Sequence, residues 1–169
     1  MPKPIEGTYQ PYTISYISKV PEDDVMDAFR NQHELVKDFF ESIPEDKYEY
    51  AYAPGKWTLK EMLQHIIDAE RIFCYRALCI ARMEKQSLPG FEENDYAANS
   101  AANSRKWADL VEELQVVRNS SEILFASFND HALHNKGISN NAVVTPNSIG
   151  FIAVGHLYHH VSVITERYL

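Results

Sequence analysis

The feature that most constrains this chain is helical spacing, because apolar residues recur every three or four positions through four long segments. The predicted helices run from about 21 to 43, from 58 to 85, from 104 to 128, and from 146 to the end of the chain. No strong strand pattern accompanies them, and the stretch 142–145, which is rich in residues that favour strands, is too short to count as a strand. Helices of this length bury their apolar faces against one another, so the sequence predicts an all-α four-helix bundle.

Local signals mark where the predicted helices begin. Pro21 suits a first helical turn, and the acidic residues 22–24 place negative charge where the helix dipole favours it. The sequence 58–61, Thr-Leu-Lys-Glu, has the pattern of a capping box. Thr145 is the predicted N-cap of the last helix, with Pro146 at its first position.

The length of 169 residues is typical of one domain, so residues 1–169 are expected to form a single helical bundle domain. Residues 1–20 carry three prolines among three tyrosines and predict an extended arm that lies against the body, rather than a helix. The connections 86–103 and 129–144 are long for a compact domain, which is typical of loops with a function.

The net charge of the chain limits the classes of partner that it can bind. Asp and Glu number 24 against 16 Lys and Arg, which gives a net charge of −8. An acidic surface repels nucleic acids and anionic membranes. No apolar stretch approaches the ~18 residues of a membrane span, and the polar N-terminus lacks the apolar core of a signal peptide. We therefore expect a cytoplasmic protein that binds neither nucleic acid nor membrane.

The two cysteines predict no disulfide. Cys74 and Cys79 lie five positions apart in the second predicted helix, so their side chains point in different directions. We expect both to be reduced, buried thiols, as in other cytoplasmic proteins.

The last helix carries two histidines on its apolar face. At a helical rotation of about 100° per residue, His156 and His160 fall about 20° to either side of the centre of that face, and His159 falls about 80° away. Neutral imidazoles at i and i+4 can direct nitrogen atoms to one metal ion. Burial favours the neutral form that binds metal, so the spacing indicates either a metal-binding pair or two hydrogen-bonded core histidines.

A metal ion needs further ligands from another helix, and four histidines are candidates. His131 and His134 have His-x-x-His spacing in a polar segment, where solvated loop histidines are the commoner finding. His33 lies on the flank of the first helix among polar neighbours, which favours a surface role. His65 lies in the most enclosed helix and is the best candidate, although it is off the centre of the main apolar stripe of that helix.

Two segments resemble signatures of the DinB/YfiT-like superfamily. They are residues 56–70 in the second helix, KWTLKEMLQHIIDAE, and residues 156–160 in the last helix, HLYHH. The resemblance extends from about residue 25 to residue 169. It implies a four-helix bundle of up-down-down-up order, often a homodimer, that binds zinc or nickel. The family's three metal-binding histidines correspond to His65, His156 and His160.

Three neutral imidazoles leave positions on a divalent ion open, as in catalytic rather than structural zinc sites. An open position can hold a water molecule of lowered pKa or a substrate thiolate. The resemblance implies a metal-dependent hydrolase, or a transferase that uses a low-molecular-weight thiol, acting on a small molecule. A protease of the His-Glu-x-x-His type is excluded, because Leu157 stands where that motif has its general base.

Five residues are candidates for a general base or a proton shuttle: Asp68, Glu70, Asp95, Tyr96 and His159. The first two flank His65 on its helix, the next two lie in the 86–103 connection, and the last lies at the edge of the apolar face. A solvated surface position, or a hydrogen bond that orients a ligand imidazole, is the alternative for each carboxylate.

Two other functional classes stay open. A non-catalytic metal- or ligand-binding module of a stress response would hold the same ion, with no base within about one water molecule of it. A purely structural helical dimer would hold no metal. Its histidines would hydrogen-bond one another or backbone carbonyls.

Overall fold

A computed structural model describes residues 2–169, with the side chains of all of them except residues 34 and 35. Met1, the first residue of the predicted arm, lies outside the described residues. The described residues form helices and strands in this order: α1 (Ile14–Ile17), α2 (Val25–Glu41), α3 (Leu59–Ala81), α4 (Glu93–Asn99), α5 (Trp107–Ala126), α6 (Asp130–His134), β1 (Gly137–Ser139), β2 (Ala142–Val144) and α7 (Pro146–Arg167).

The four long helices α2, α3, α5 and α7 pack around one another. Helix α3 contacts both α5 and α7, and α2 closes the bundle by contacting the same two helices. The packing of these four helices confirms the predicted helical bundle. The up-down-down-up order of the helices stays a prediction. Within residues 2–169, no helix combines the length and the apolar character needed to cross a membrane.

The helix starts at Thr58 and Thr145 agree with the sequence. The Thr58 hydroxyl accepts from the amide of Glu61, whose carboxylate accepts from the amide of Thr58, and Thr145 forms the same kind of box with Ser148. The first long helix differs from the prediction, because it begins at Val25 and not near Pro21. The Asp24 carboxylate accepts from the amides of the second and third helical residues, so the helix begins there.

Three other predicted boundaries also shift. Helix α3 ends at Ala81 rather than near residue 85, because Met83 has a φ of 66° and leaves the right-handed helical region. Helix α5 covers Trp107–Ala126 rather than 104–128, and Ala102–Ser104 form a separate 3-10 turn after Ala101, whose φ is 53°. The extended arm is interrupted at residues 11–17, where a 3-10 turn leads into α1.

The prediction that the stretch 142–145 is too short for a strand is wrong. Strands β1 and β2 pair as an antiparallel hairpin, with Gly137 opposite Val144. Asn140 and Asn141 form its two-residue turn, with φ values of 47° and 63°. Asparagine tolerates this left-handed conformation, so the Asn-Asn pair was the sequence signal for the hairpin.

The apolar core is divided into two clusters by a layer of polar residues. The first cluster includes Phe29, Phe125 and Phe151, and the second includes Phe40 and Leu114. On each long helix, at least one buried polar residue lies between the two clusters. We call this set the polar layer: Gln32 of α2, Glu70 of α3, Arg118 and Ser121 of α5, and His156 of α7.

An ion pair lies at the centre of the polar layer. Nη2 of Arg118 is 2.9 Å from Oε2 of Glu70, and both side chains are at most 3% exposed. The Ser121 hydroxyl donates to Glu70 Oε1 at 2.6 Å, and the Cys74 thiol donates to that hydroxyl at 3.1 Å. Burial raises the pKa of the Cys74 thiol to about 11, so it is an inert donor here. Both cysteines are free, as predicted, although they are half-buried rather than buried.

We predict that Arg118→Met destabilises the protein by about 3–5 kcal/mol, because it leaves the Glu70 carboxylate buried without its partner. The double variant Glu70→Gln, Arg118→Met removes both charges and should recover most of that loss. Urea denaturation of the three proteins measures both effects. A single variant within about 1 kcal/mol of the wild type would contradict the assignment of a structural ion pair.

Candidate metal centre

Two packed helices bring three histidines together. Helix α3 carries His65 two turns after its capping box, and α7 carries His156 and His160 one turn apart. The two helices contact each other along the bundle. All three side chains are at most 8% exposed. The convergence of His65 on the other pair depends on this packing, because the apolar pattern of α3 by itself places His65 off centre.

The ring nitrogens of the three histidines face one another. Nε2 of His156 lies 3.1 Å from Nε2 of His65 and 3.0 Å from Nε2 of His160. Candidate ligand atoms of all three lie within 4.8 Å of one another. Nitrogen ligands at about 2.0–2.1 Å from a tetrahedral zinc ion are separated by roughly 3.3 Å. The spacing of this cluster therefore fits a single small divalent ion.

Burial keeps the three imidazoles neutral. It lowers the pKa of His65 to about 4. Burial also holds the pKa values of His156 and His160 well below the usual range, and the neighbouring histidines lower them further. A neutral imidazole has a nitrogen lone pair available, so the pocket presents metal-binding groups without first releasing protons.

Hydrogen bonds among the imidazoles can pair fewer of the ring nitrogens than a bound cation would. A neutral ring nitrogen is either a donor or an acceptor, and Nε2 of His156 faces two other Nε2 atoms. A cation accepts lone pairs from all three atoms at once. Nδ1 of His160 is buried with no hydrogen-bond partner among the described residues, so no hydrogen bond on that side of the ring orients it.

Aromatic side chains surround the cluster. The ring of Tyr16 makes edge contacts with His156 and His159, each at a centroid distance of 5.4 Å. Trp57 lies 4.8 Å from His65, and Phe73 lies 5.5 Å from His156. Tyr16 reaches this position because α1 packs directly on α7 at Gly155, where any Cβ would overlap the Tyr16 carbonyl oxygen.

The three histidines line a cavity of about 260 Å³ that is partly open to solvent. Its other lining residues include four aromatic or polar side chains from separate elements: Tyr16, Trp57, Phe73 and Asn140. Arg76 of α3 and Glu93 of α4 bring two charged groups to the same cavity. The cavity therefore combines imidazole nitrogens that could hold a metal ion, an apolar surface and one group of each charge.

Glu93 is the residue that the sequence analysis missed. It lies in the first turn of α4, inside the 86–103 connection, and it lines the cavity with the three histidines. Burial raises the pKa of Tyr16, and electrostatic repulsion from Tyr12 and Glu93 raises it further. The sequence signal for Glu93 was the acidic run at residues 92–95, in which only Asp95 was a predicted catalytic candidate.

The five predicted catalytic candidates lie in other surroundings. Asp68 accepts from the Gln64 amide at 2.9 Å, and burial raises its pKa, but it does not line the cavity. Glu70 belongs to the polar layer. Asp95 and Tyr96 are exposed on α4, outside the cavity lining. His159 is half-buried outside the cavity lining, with its ring 5.1 Å from the ring of His160, and burial lowers its pKa.

The other histidines lie away from the cluster. Nδ1 of His33 contacts a carboxylate oxygen of Glu122 at 2.8 Å on the flank of the bundle. His131 and His134 lie on the exposed side of the short helix α6 rather than in a loop. None of the three lines the cavity that contains the cluster.

We predict that the metal-free protein loses stability as the pH falls below about 6.5. The unfolded chain binds a proton at His65 near pH 6.5, whereas the folded chain binds it only near pH 4, so acid favours unfolding. Between pH 6.5 and pH 5, His65 alone should cost about 2 kcal/mol. Urea denaturation across this range in a chelator measures the loss. If His65→Gln shows the same pH dependence as the wild type, the assigned pKa shift is wrong.

Comparison with known proteins agrees with this architecture. The sequence profile of the DinB superfamily matches residues 28–164. No curated protein sequence matches the chain. YfiT from Bacillus subtilis, described as a probable metal-dependent hydrolase with an unusual four-helix bundle topology, has a TM-score of 0.73 at 17% identity, over 97% of this chain and 90% of YfiT.

A second similar structure is the mycothiol-dependent maleylpyruvate isomerase. It has a TM-score of 0.69 at 9% identity, over 86% of this chain and 61% of the isomerase, so this chain spans about three fifths of that protein. At these identities the structural similarity shows a shared fold. Since the family profile covers residues 28–164 and includes all three clustered histidines, the chain belongs to the DinB superfamily.

Proposed function

We propose that the protein is a metal-dependent hydrolase of small molecules, with one zinc ion bound by His65, His156 and His160. The observation that carries the proposal is the meeting of three buried Nε2 atoms, at 3.0 and 3.1 Å from the central one, at a cavity that also holds a carboxylate. YfiT, which has the same fold, is described as a probable metal-dependent hydrolase, and this supports the same class here.

The residues present fit a divalent ion. Three imidazoles are a donor set that zinc and nickel both accept, and burial keeps them in the binding form. With three protein ligands, the ion would have an open position facing the cavity, where it would supply a Lewis acid and lower the pKa of water. Zinc is the proposed ion because three-histidine sites with an open position are typical of catalytic zinc, and nickel is the alternative.

Two polar groups of the cavity have distinct roles in this mechanism. The Glu93 carboxylate can accept a proton from the attacking water and return it to the leaving group. Tyr16, whose pKa burial raises, has a protonated hydroxyl that can donate a hydrogen bond to a substrate oxygen. Trp57 and Phe73 cover the histidine rings and limit access of bulk water. A base in the cavity favours an enzyme over a non-catalytic binding module.

A thiol-dependent transferase is the second candidate. It is supported by the structural similarity to the mycothiol-dependent isomerase. A thiolate is a good ligand for zinc and would need no general base after deprotonation. Turnover of esters without added thiol favours the hydrolase, and turnover that requires thiol favours the transferase.

We predict about one zinc or nickel ion per chain in protein purified without a metal-affinity tag. His65→Ala, His156→Ala and His160→Ala should each lower the bound metal at least about tenfold, because each removes one of three ligands. Elemental analysis by mass spectrometry measures the content. His134→Ala is the matched control, since this exposed histidine lies away from the cluster. Full metal content in all three cluster variants would refute the ligand assignment.

We predict that Glu93→Gln lowers kcat at least about a hundredfold while the metal content stays unchanged, because the amide cannot accept the proton. Hydrolysis of a series of 4-nitrophenyl esters by the metal-loaded protein measures the effect. Glu92→Gln is the matched control, since Glu92 is the neighbouring exposed glutamate and does not line the cavity. Equal rates for Glu93→Gln and the wild type would exclude Glu93 as the base.

A further inference from the structure

One face of α3 runs from the histidine cluster to a cationic end of the cavity. His65, Ala69, Phe73 and Arg76 lie at positions i, i+4, i+8 and i+11, and all four line the cavity. At about 100° per residue these positions fall within about 80° of one another on the helix. Arg76 lies about 16 Å from His65 along the helix axis, with an apolar surface between them.

The Arg76 guanidinium has no carboxylate partner among the described residues. Its Nη2 donates to the carbonyl oxygen of Pro89 at 2.6 Å, and its charge lies 5.8 Å from the ring of Phe91. Burial lowers the pKa of Arg76, which shows that its charged form is partly desolvated. By contrast, four other arginines form ion pairs with carboxylates: Arg30, Arg71, Arg105 and Arg118.

The two remaining arginines show that Arg76 is a special case. Arg82 and Arg167 also contact aromatic rings without an ion pair among the described residues, but both are exposed to solvent. Arg76 is half-buried and faces the cavity. An unpaired, partly desolvated guanidinium in a chain with a net charge of −8 is a ready partner for an anionic ligand.

The surroundings of Arg76 favour a carboxylate over a phosphate. Because Nη2 already donates to Pro89, the other nitrogen atoms of the guanidinium group are left to bind one planar, singly charged group. The cavity offers one arginine, and Glu93 adds a negative charge to it. That charge repels a phosphate more strongly than a carboxylate, because a phosphate carries nearly two negative charges. The Asn140 side chain and the Tyr12 ring line the same region beside the guanidinium.

We propose that Arg76 binds the carboxylate of the substrate, so that the site acts on an organic acid whose apolar or aromatic body lies along Ala69 and Phe73. The reacting group would then lie at the histidines, at the other end of the cavity. This assignment rests on the proposed hydrolase function for its chemistry, but the carboxylate subsite itself is formed without the metal.

The test measures binding to metal-stripped protein, where carboxylates cannot bind the ion. The probes are 4-phenylbutanoate and its neutral isostere 4-phenylbutanamide, and isothermal titration calorimetry gives the affinities. The wild type should bind the acid at least about tenfold more tightly than the amide, as expected for a charge-assisted hydrogen bond. Arg76→Gln should abolish this preference, and Arg76→Lys should retain part of it.

The control is Arg82→Gln, which makes the same change of charge at an exposed position outside the cavity and should keep the full preference. An Arg76→Gln variant that still prefers the acid would overturn the proposal. Inorganic phosphate that binds more tightly than 4-phenylbutanoate, in an Arg76-dependent manner, would also overturn it and assign a phosphate site. If the elemental analysis finds no metal, the hydrolase proposal fails while this binding experiment still decides the role of Arg76.

Discussion

The polar layer is the constraint on which the rest of the structure depends. A helical bundle of this size gains its stability from apolar burial, yet here Glu70, Arg118 and Gln32 are almost fully buried at mid-height. A buried ion pair contributes little net stability, but removal of either partner is costly because the remaining charge has no water around it. The pair therefore restricts how α3 and α5 can pack against each other. His156 lies in the same layer, so the candidate metal centre shares this fixed environment.

The positions of the three histidines follow from the ends of their helices. Capping boxes begin α3 at Leu59 and α7 at Pro146, which sets how far along each helix His65 and His156 lie. Contact between the two helices then brings Nε2 of His65 to 3.1 Å from Nε2 of His156. Gly155 allows α1 to approach α7, which lets Tyr16 cover the cluster. A cluster of neutral imidazoles thus depends on local capping, on helix packing and on one close backbone approach.

The cavity arranges its chemistry along α3. Neutral nitrogen atoms lie at one end and an unpaired guanidinium at the other, with Ala69 and Phe73 between them. The short helix α4 brings Glu93 to the same space from a connection that has no apolar stripe of its own. Under the proposed function, such an arrangement orients a substrate by its anionic and apolar parts and presents its remaining group to the histidines. The long 86–103 connection therefore completes the proposed active site.

The sequence by itself determined the long helices, the capping box at Thr58, the N-cap at Thr145 and the placement of His156 and His160 on one buried face, because each depends on residues within a few positions of one another. It identified His65 as the best further candidate because that residue lies in the most enclosed helix, and only the resemblance named it as a ligand, since the periodicity of α3 left it off centre. Tertiary structure alone decided that His65 meets the other pair, and that Glu93 and Arg76, rather than Asp68 or Asp95, face the same cavity. It also decided where α2 begins and how the hairpin pairs. The physical reason is that helical periodicity reports which face of one element is buried, whereas a site between elements depends on how the connections bring those faces together.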